Sequence, residues 1–189
     1  MYLNCPITSI AIQLEMEKVD ANVKKYREKL GLNISLNDLL IFSISKALEK
    51  HKEFNEGEKI NVGNLVNFDE YSGEIFITEA NKKEVKDIAK EFKDQAMELL
   101  RNKRLIKKDN QASIWITNLY NFGAYFSIPP IKTGTKCMLS LGANFEALNN
   151  VKQSKPRSNL IISYDSRIAD CQKALLFLKE IKLTLEKPN

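Results

Sequence analysis

An α/β fold, a mixed β-sheet covered by helices, follows from three features of the sequence. Apolar residues alternate at period two in short stretches such as SIAIQLEM, where Ile10, Ile12, Leu14 and Met16 share one side. They recur at helical spacing in four longer stretches. Turn and cap residues separate the two kinds of segment, so strands and helices interleave along the chain.

After the first strand, EKVDANVKKYREKLGLN reads as an amphipathic helix stopped by Gly31, since glycine readily takes the left-handed conformation of a helix C-terminus. Ser35 and Asp38 suit an N-cap and capping box for LNDLLIFSISKALEKHKEF, whose Leu39, Leu40, Ile44, Ala47 and Leu48 make a broad apolar face. INVGNLVNF and GEIFITEA follow as strands joined by a turn at DEYSG. NKKEVKDIAKEFKDQAMELLRNKR is a long helix with Val85, Ile88, Ala89, Phe92, Ala96, Leu99 and Leu100 on one face. ASIWITNL and KCMLSLGANF are buried strands separated by the loop YNFGAYFSIPPIKTG, which Pro129, Pro130 and Gly134 mark. NLIISY is the last strand, and Pro156 with the polar NNVKQSKPRS marks a hairpin-like connection leading to it. CQKALLFLKEIKLTLEK closes the chain as a helix. No repeat or low-complexity linker intervenes, so residues 1–189 read as a single domain.

A chain of 189 residues, 43% of them hydrophobic, can bury one sizeable core. The net charge of +5 permits nucleic-acid binding, but bases and acids interleave in EVKDIAKEFKDQAMELL as on a solvated helix face. The denser RNKRLIKK, Arg101 to Lys108, lacks interleaved aromatics and suits a helix C-terminus, where the dipole favours cations. No nucleic-acid partner is expected. Cys5, Cys137 and Cys171 show neither metal-ligand spacing nor a disulfide framework, which points to a reducing intracellular compartment. His51 is the single histidine and cannot by itself build a metal site. No apolar run approaches the ~20 residues that span a bilayer. MYLNCPITSIAIQLEM lacks a signal peptide's charged start and unbroken apolar core.

One junction gathers reactive residue types. In SYDSRIADC, Ser163 to Cys171, a strand runs into a helix, and Ser166 and Asp170 stand four residues apart. A histidine at the serine's place would make an acid/base site. A serine alcohol cannot act as a base at neutral pH, and as a nucleophile it would need an activating base that Asp170 is too weak to supply. His51 reads as the exposed end of a helix and offers no substitute.

The order of four segments resembles the catalytic domain of the dihydrolipoyl acyltransferases of 2-oxoacid dehydrogenase complexes. SLNDLLIFSISKALEKHKEFN is similar to that family's long helix and the tail after it. ITEANKKEVKDIAKEFKDQAMELLRNKRL resembles the strand end and long helix that follow its central turn. SIWITNLYNFGAYFSIPPI is similar to its T-x-S-N-x-G stretch and proline pair. SYDSRIADCQKALLFLKEIKLTLEKP resembles its last strand, D-H-R-x-x-D-G motif and closing helix. The likeness runs from CPIT to LEKP. It implies a chloramphenicol acetyltransferase-like fold, active sites built between subunits, and a homo- or heterotrimer within a multi-subunit complex. The lipoyl and peripheral-subunit-binding domains of such proteins are not recognisable in these residues, and the first family helix has no counterpart before Tyr2.

The resemblance also implies what has changed. The family's catalytic histidine falls on Ser166, and its motif-ending glycine on Cys171, while Asp165, Arg167 and Asp170 are kept. The hydroxyl that supports the oxyanion falls on Thr117, followed by the matching Asn118; a plain β-branched strand residue explains Thr117 equally well. The next glycine is Tyr120, a large side chain at the expected channel. In such an enzyme the imidazole takes a proton from a thiol, the thiolate attacks a thioester, and a hydroxyl steadies the oxyanion. Ser166 removes the base, so Ser166, Asp170, Thr117 and Asn118 form a degenerate motif, with Asp165 and Arg167 structural. Arg167 and Asp170 are expected to pair with each other or with the backbone. The serine resembles the D-S-R-type motif of protein X, the non-catalytic homologue of pyruvate dehydrogenase complexes. The function implied is a catalytically inactive structural subunit, without cofactor, in the mitochondrial matrix of a eukaryote or the cytoplasm otherwise. The alternative is an active coenzyme A-dependent acyltransferase with a relocated base.

Overall fold

A computed structural model of the chain describes residues 6–55, 57–67, 72–102, 111–148 and 154–187. Seven strands among these residues form one mixed sheet: β1 (Ile7–Glu15), β2 (Val62–Asn67), β3 (Ser72–Ile77), β4 (Ile114–Asn118), β5 (Cys137–Leu141), β6 (Phe145–Leu148) and β7 (Ser154–Asp165). Their spatial order is β1-β7-β5-β4-β2-β3, with β6 paired to β7 beside that path. The β2–β4 and β4–β5 pairs are parallel and the others antiparallel. Among the described residues four helices accompany it: α1 (Met16–Leu30), α2 (Leu36–Lys50), α3 (Val85–Asn102) and α4 (Cys171–Glu186).

Strand alternation assigns the two faces of the sheet. Ile114, Ile116, Leu139, Leu141, Leu160, Ile162 and Tyr164 join Leu40, Ile44, Ile88, Leu99, Phe177 and Ile181 of the helices in one core. Phe76, Trp115 and Met138 point the other way and form a smaller cluster with Ala112. The chain between β4 and β5 crosses that second face. Its Lys132 ammonium sits 3.6 Å from the Trp115 ring centroid, a cation–π contact, and pairs with Glu74 at 2.5 Å. Trp115 in turn lies over Gly63, where an added Cβ would come within 2.5 Å of the indole.

Local chemistry sets the helix ends. Gly31 adopts φ 63° and its N–H donates to Arg27 O at 2.9 Å, closing α1 as the sequence anticipated. At α2, Asp38 N–H donates to Ser35 Oγ at 3.2 Å, and Ser35 N–H donates to Asp38 Oδ2 at 2.7 Å, completing the capping box. Burial pushes the Asp38 carboxyl above its ordinary range, against the pull of the Ser35 hydrogen bonds and Arg27.

Two sequence expectations need correction. Pro156 lies within β7, opposite Glu146 of β6, rather than in the connection before the strand. The β1 pairing ends at Arg157, so Pro156 occupies a position with a free side, where a missing N–H is tolerated. The second helix stops at Lys50, and residues 52–54 of the HKEF stretch form a short 3₁₀ turn instead. Most of the turn expected at 69–73, most of the basic patch at 101–108 and Cys5 lie outside the described residues.

Asn64 on β2 breaks the apolar pattern. It is 0% exposed, opposite Ile75 and Ile116, and neither polar atom of its amide has a hydrogen-bond partner among the described residues. An unsatisfied buried polar group costs about 1–3 kcal/mol. Asn64→Leu, close in volume, is therefore expected to raise the urea midpoint with unchanged slope, by a stability gain of about 1–2 kcal/mol. A lower midpoint would show that the amide is satisfied in the native protein.

Candidate functional site

The end of β7 delivers the reactive junction. Asp165 is the last strand residue and 6% exposed; its carboxylate accepts from Arg167 Nε at 2.8 and 3.0 Å, from Arg167 Nη2, and from the Arg167 N–H at 3.0 Å. A fork-like guanidinium clamp of this kind holds a carboxylate in one orientation. Arg167 thus pairs with Asp165 and not with Asp170, which corrects the first of the two expected pairings. Asp170 takes the second: it is the N-cap of α4, its carboxylate accepting from Lys173 N–H at 2.8 Å. Because α4 begins only at Cys171, Ser166 stands in the preceding turn and does not share a helical turn with Asp170.

Ser166 is exposed and tied to the start of the chain. Its N–H donates to Pro6 O at 2.9 Å and its Oγ donates to the same carbonyl at 3.2 Å. A hydroxyl proton committed to a carbonyl is not being withdrawn by a base.

His51 corrects a further expectation. It caps the C-terminus of α2, but its side chain is half-buried, not exposed. The ring meets Phe177 edge-on at 5.5 Å, and Nδ1 lies 3.4 Å from Glu53 Oε1. Phe177 is nearly two turns into α4, about 10 Å along its axis from the Asp170 cap. Phe54 stacks on Phe177 at 4.9 Å and meets Tyr164 edge-on at 5.9 Å, so His51 belongs to a packed aromatic row. The 1% exposed Tyr164 donates its hydroxyl to Cys171 Sγ at 3.7 Å. Burial, with help from that contact, pushes the Tyr164 phenol above its ordinary pKa.

Thr117 and Asn118 end β4 at the other extremity of the sheet. Asn118 Nδ2 donates to Asn37 Oδ1 at 2.7 Å, and Asn118 Oδ1 accepts from Tyr120 N–H at 2.9 Å, which ties the strand end to the first turn of α2. Thr117 is half-buried opposite Ser140, whose own hydroxyl is buried without a partner among the described residues. Tyr120 lines a cavity of about 360 Å³ together with Arg27, Asn37 and Asn118, so it borders open space there. Its hydroxyl accepts from Asn144 Nδ2 at 2.6 Å.

The fold keeps these two groups apart. Thr117 is level with Ser140, and Ser140 with Ile161, two strands over. Ser166 lies five residues further on, one past the end of β7. At ~3.3 Å per residue and ~4.8 Å per strand spacing, the separation is about 20 Å. Within one chain Thr117 and Ser166 cannot both touch one reacting atom. Pro6, Asn37 and the Tyr164–Cys171 contact escaped the sequence reading, because they depend on register across the sheet, not on a local motif.

Residues 3–189 match the family described as 2-oxoacid dehydrogenases acyltransferase (catalytic domain). A dihydrolipoyllysine-residue succinyltransferase component of the 2-oxoglutarate dehydrogenase complex from Buchnera aphidicola is 25% identical over 195 residues, covering 94% of this chain and 49% of that protein. The chain spans about half the length, or less, of the curated relatives it matches. A probable dihydrolipoamide acetyltransferase from Listeria monocytogenes has the same fold, with a TM-score of 0.85 at 20% identity over 98% of this chain and 86% of that one. Chloramphenicol acetyltransferase superposes at a TM-score of 0.58 and 13% identity, over 97% of this chain and 87% of its own. The chloramphenicol acetyltransferase-like α/β fold expected from the sequence is thereby established.

Two outcomes follow from the junction. Asp170→Ala is expected to cost about 1 kcal/mol as the α4 cap is lost, whereas Asp170→Asn, an equally good cap, leaves the urea midpoint nearly unchanged. Equal losses would assign Asp170 a role that needs its charge. The raised Tyr164 pKa favours the folded state below the ordinary tyrosine value of about 10, and that contribution disappears as pH climbs through the native value. Tyrosinate absorbance should therefore show a late-titrating component in the wild type that is missing in Tyr164→Phe. Superimposable curves would place the phenol in solvent.

Proposed function

The chain belongs to the family of 2-oxoacid dehydrogenase acyltransferase catalytic domains, and on that premise we propose that it is a non-catalytic member serving as a structural subunit of a larger assembly. One observation carries the reading. Ser166 stands where the resemblance implies the catalytic histidine, and its hydroxyl is bound to Pro6 O, with no hydrogen bond to a basic side chain among the described residues. Loss of a positioned general base typically lowers a rate ~10²–10⁴-fold. The kept neighbours have other work: Asp165 and Arg167 hold each other, and Asp170 caps α4.

The proposed host is a 2-oxoacid dehydrogenase complex. Support comes from the relatives named as components of 2-oxoglutarate dehydrogenase complexes, and from the serine motif's likeness to protein X of pyruvate dehydrogenase complexes. Within the host the chain is proposed to form a homo- or heterotrimer; the support is the resemblance, which implies sites built between subunits, and the separation of about 20 Å between Thr117 and Ser166 in one chain. A scaffold role requires no cofactor. The compartment would be the mitochondrial matrix in a eukaryote and the cytoplasm otherwise. A second reading, an active coenzyme A-dependent acyltransferase with a relocated base, draws on Thr117 and Asn118 standing together at the end of β4.

The deciding experiment combines turnover with native mass. With acetyl- or succinyl-coenzyme A and dihydrolipoamide, thioester exchange is expected to stay at the uncatalysed background in the wild type and in Ser166→Ala alike. Native mass spectrometry of protein isolated gently from its source is expected to show a trimer, or complex subunits at fixed stoichiometry. Turnover that Thr117→Val or His51→Ala abolishes would replace the structural reading with the enzymatic one. A lone monomer would refute the assembly.

A further inference from the structure

Among the described residues β1 is an outer strand of the sheet, and α4 runs beside it. The outward face of α4 carries Leu176 and Leu183, seven residues apart and 49% and 62% exposed, with Lys179 between them. Beside Leu183 opens a hollow of about 590 Å³ whose floor is Ile12 and Gln13 of β1 and whose rim is Arg157, Lys179 and Lys182. A second hollow, of about 900 Å³, continues past Leu183 toward Ala21 of α1.

The strand's open side is only half covered. Glu15 N–H donates to Glu186 Oε1 at 2.6 Å, and Lys182 Nζ donates to Gln13 O at 2.7 Å, so α4 caps the edge at those two residues. In an antiparallel strand the residues that turn their N–H and C=O to one side alternate. Ser9 and Ala11 therefore turn theirs outward with Gln13 and Glu15, and there α4 supplies no partner. A short exposed strand edge is a template for one more strand.

Charge adds a preference. The carboxylates around the groove are engaged: Glu15 with Lys18 and Arg157, Glu17 with Lys155, Glu180 with Lys50, and Glu186 with Lys182. Lys179 has no carboxylate partner among the described residues. The uncommitted charge beside the exposed leucines is positive.

We propose that the β1 edge and the leucine face of α4 dock an extended, acidic and apolar segment of a partner protein. The segment pairs with the outward groups of Ser9 and Ala11, lays an apolar side chain against Leu183, and sets a carboxylate on Lys179. This is strand addition with side-chain pockets on one face. It stands on the β1–α4 edge alone and holds whether or not the chain transfers acyl groups.

The probe is a fluorescein-labelled nonapeptide with threonine at odd positions and leucine and glutamate alternating at even ones. Saturable anisotropy is expected, with slowed amide exchange at Ser9 and Ala11 on binding. Lys179→Glu and Leu183→Gln, both at exposed positions, should each weaken binding at least tenfold, and a peptide with lysine in place of glutamate should not bind. Absence of saturation, or affinity unchanged in both variants, overturns the proposal. So does self-association of the wild type that Leu183→Gln abolishes, since the groove would then belong to a second copy.

Discussion

The ladder that β7 makes with β1 on one side and β5 on the other ties the two ends of the chain to its middle. Ile7 pairs with Asp165 and Glu15 with Arg157, while Cys137 and Leu141 meet Tyr164 and Leu160 across the strand's other side. Contacts so distant in sequence are slow to form, because loop closure precedes their reward. Once made, they bury Leu160, Ile162 and Tyr164 together with Leu14 and with Phe177 of α4. The same register fixes where Ser166 emerges and which carbonyl, that of Pro6, waits beside it.

A sheet with its helices on one side leaves the other face to be covered by loop. The chain after β4 does this, and one close approach holds it there. Ala143 N–H donates to Ala124 O at 2.8 Å, and Gly142 sits so near the loop that an added Cβ would stand 2.3 Å from Tyr125 O. Any side chain at Gly142 would push the loop off the end of β5. That loop begins at Asn118 and Tyr120, so the packing of the second face and the shape of the cavity beside Thr117 are one problem.

What the sequence disclosed and what it withheld divide along one line. Ser35 with Asp38, Gly31, and the period-two run of β1 are local signals, each needing only a few neighbouring residues, and each was legible. Pro156 was misplaced because a proline's tolerance depends on which strands flank it, and that is topology. His51 reads as a solvated helix end until Phe177, far along the chain, closes over it. The Asp165–Arg167 clamp competes with an equally plausible Arg167–Asp170 pair, and only the start of α4 at Cys171 decides between them. The separation of Thr117 from Ser166 is invisible in sequence, since both lie in motifs that resemble parts of a single site.

That separation bears on how the surviving motif residues should be weighed. Proton transfer is not needed to explain the contacts of Asp165, Arg167 and Asp170. Each instead has a structural task that a serine at 166 does not disturb. The clamp neutralises a carboxylate at 6% exposure, and the cap satisfies N–H groups that the first turn of α4 leaves without partners. Ser166 meanwhile gains a hydrogen bond to Pro6 O that fastens the start of β1 to the end of β7. The contacts of Asp165, Arg167 and Asp170 are thus accounted for by folding. Ser166, the residue at which the sequence departs from the motif it resembles, makes its hydroxyl contact with the backbone.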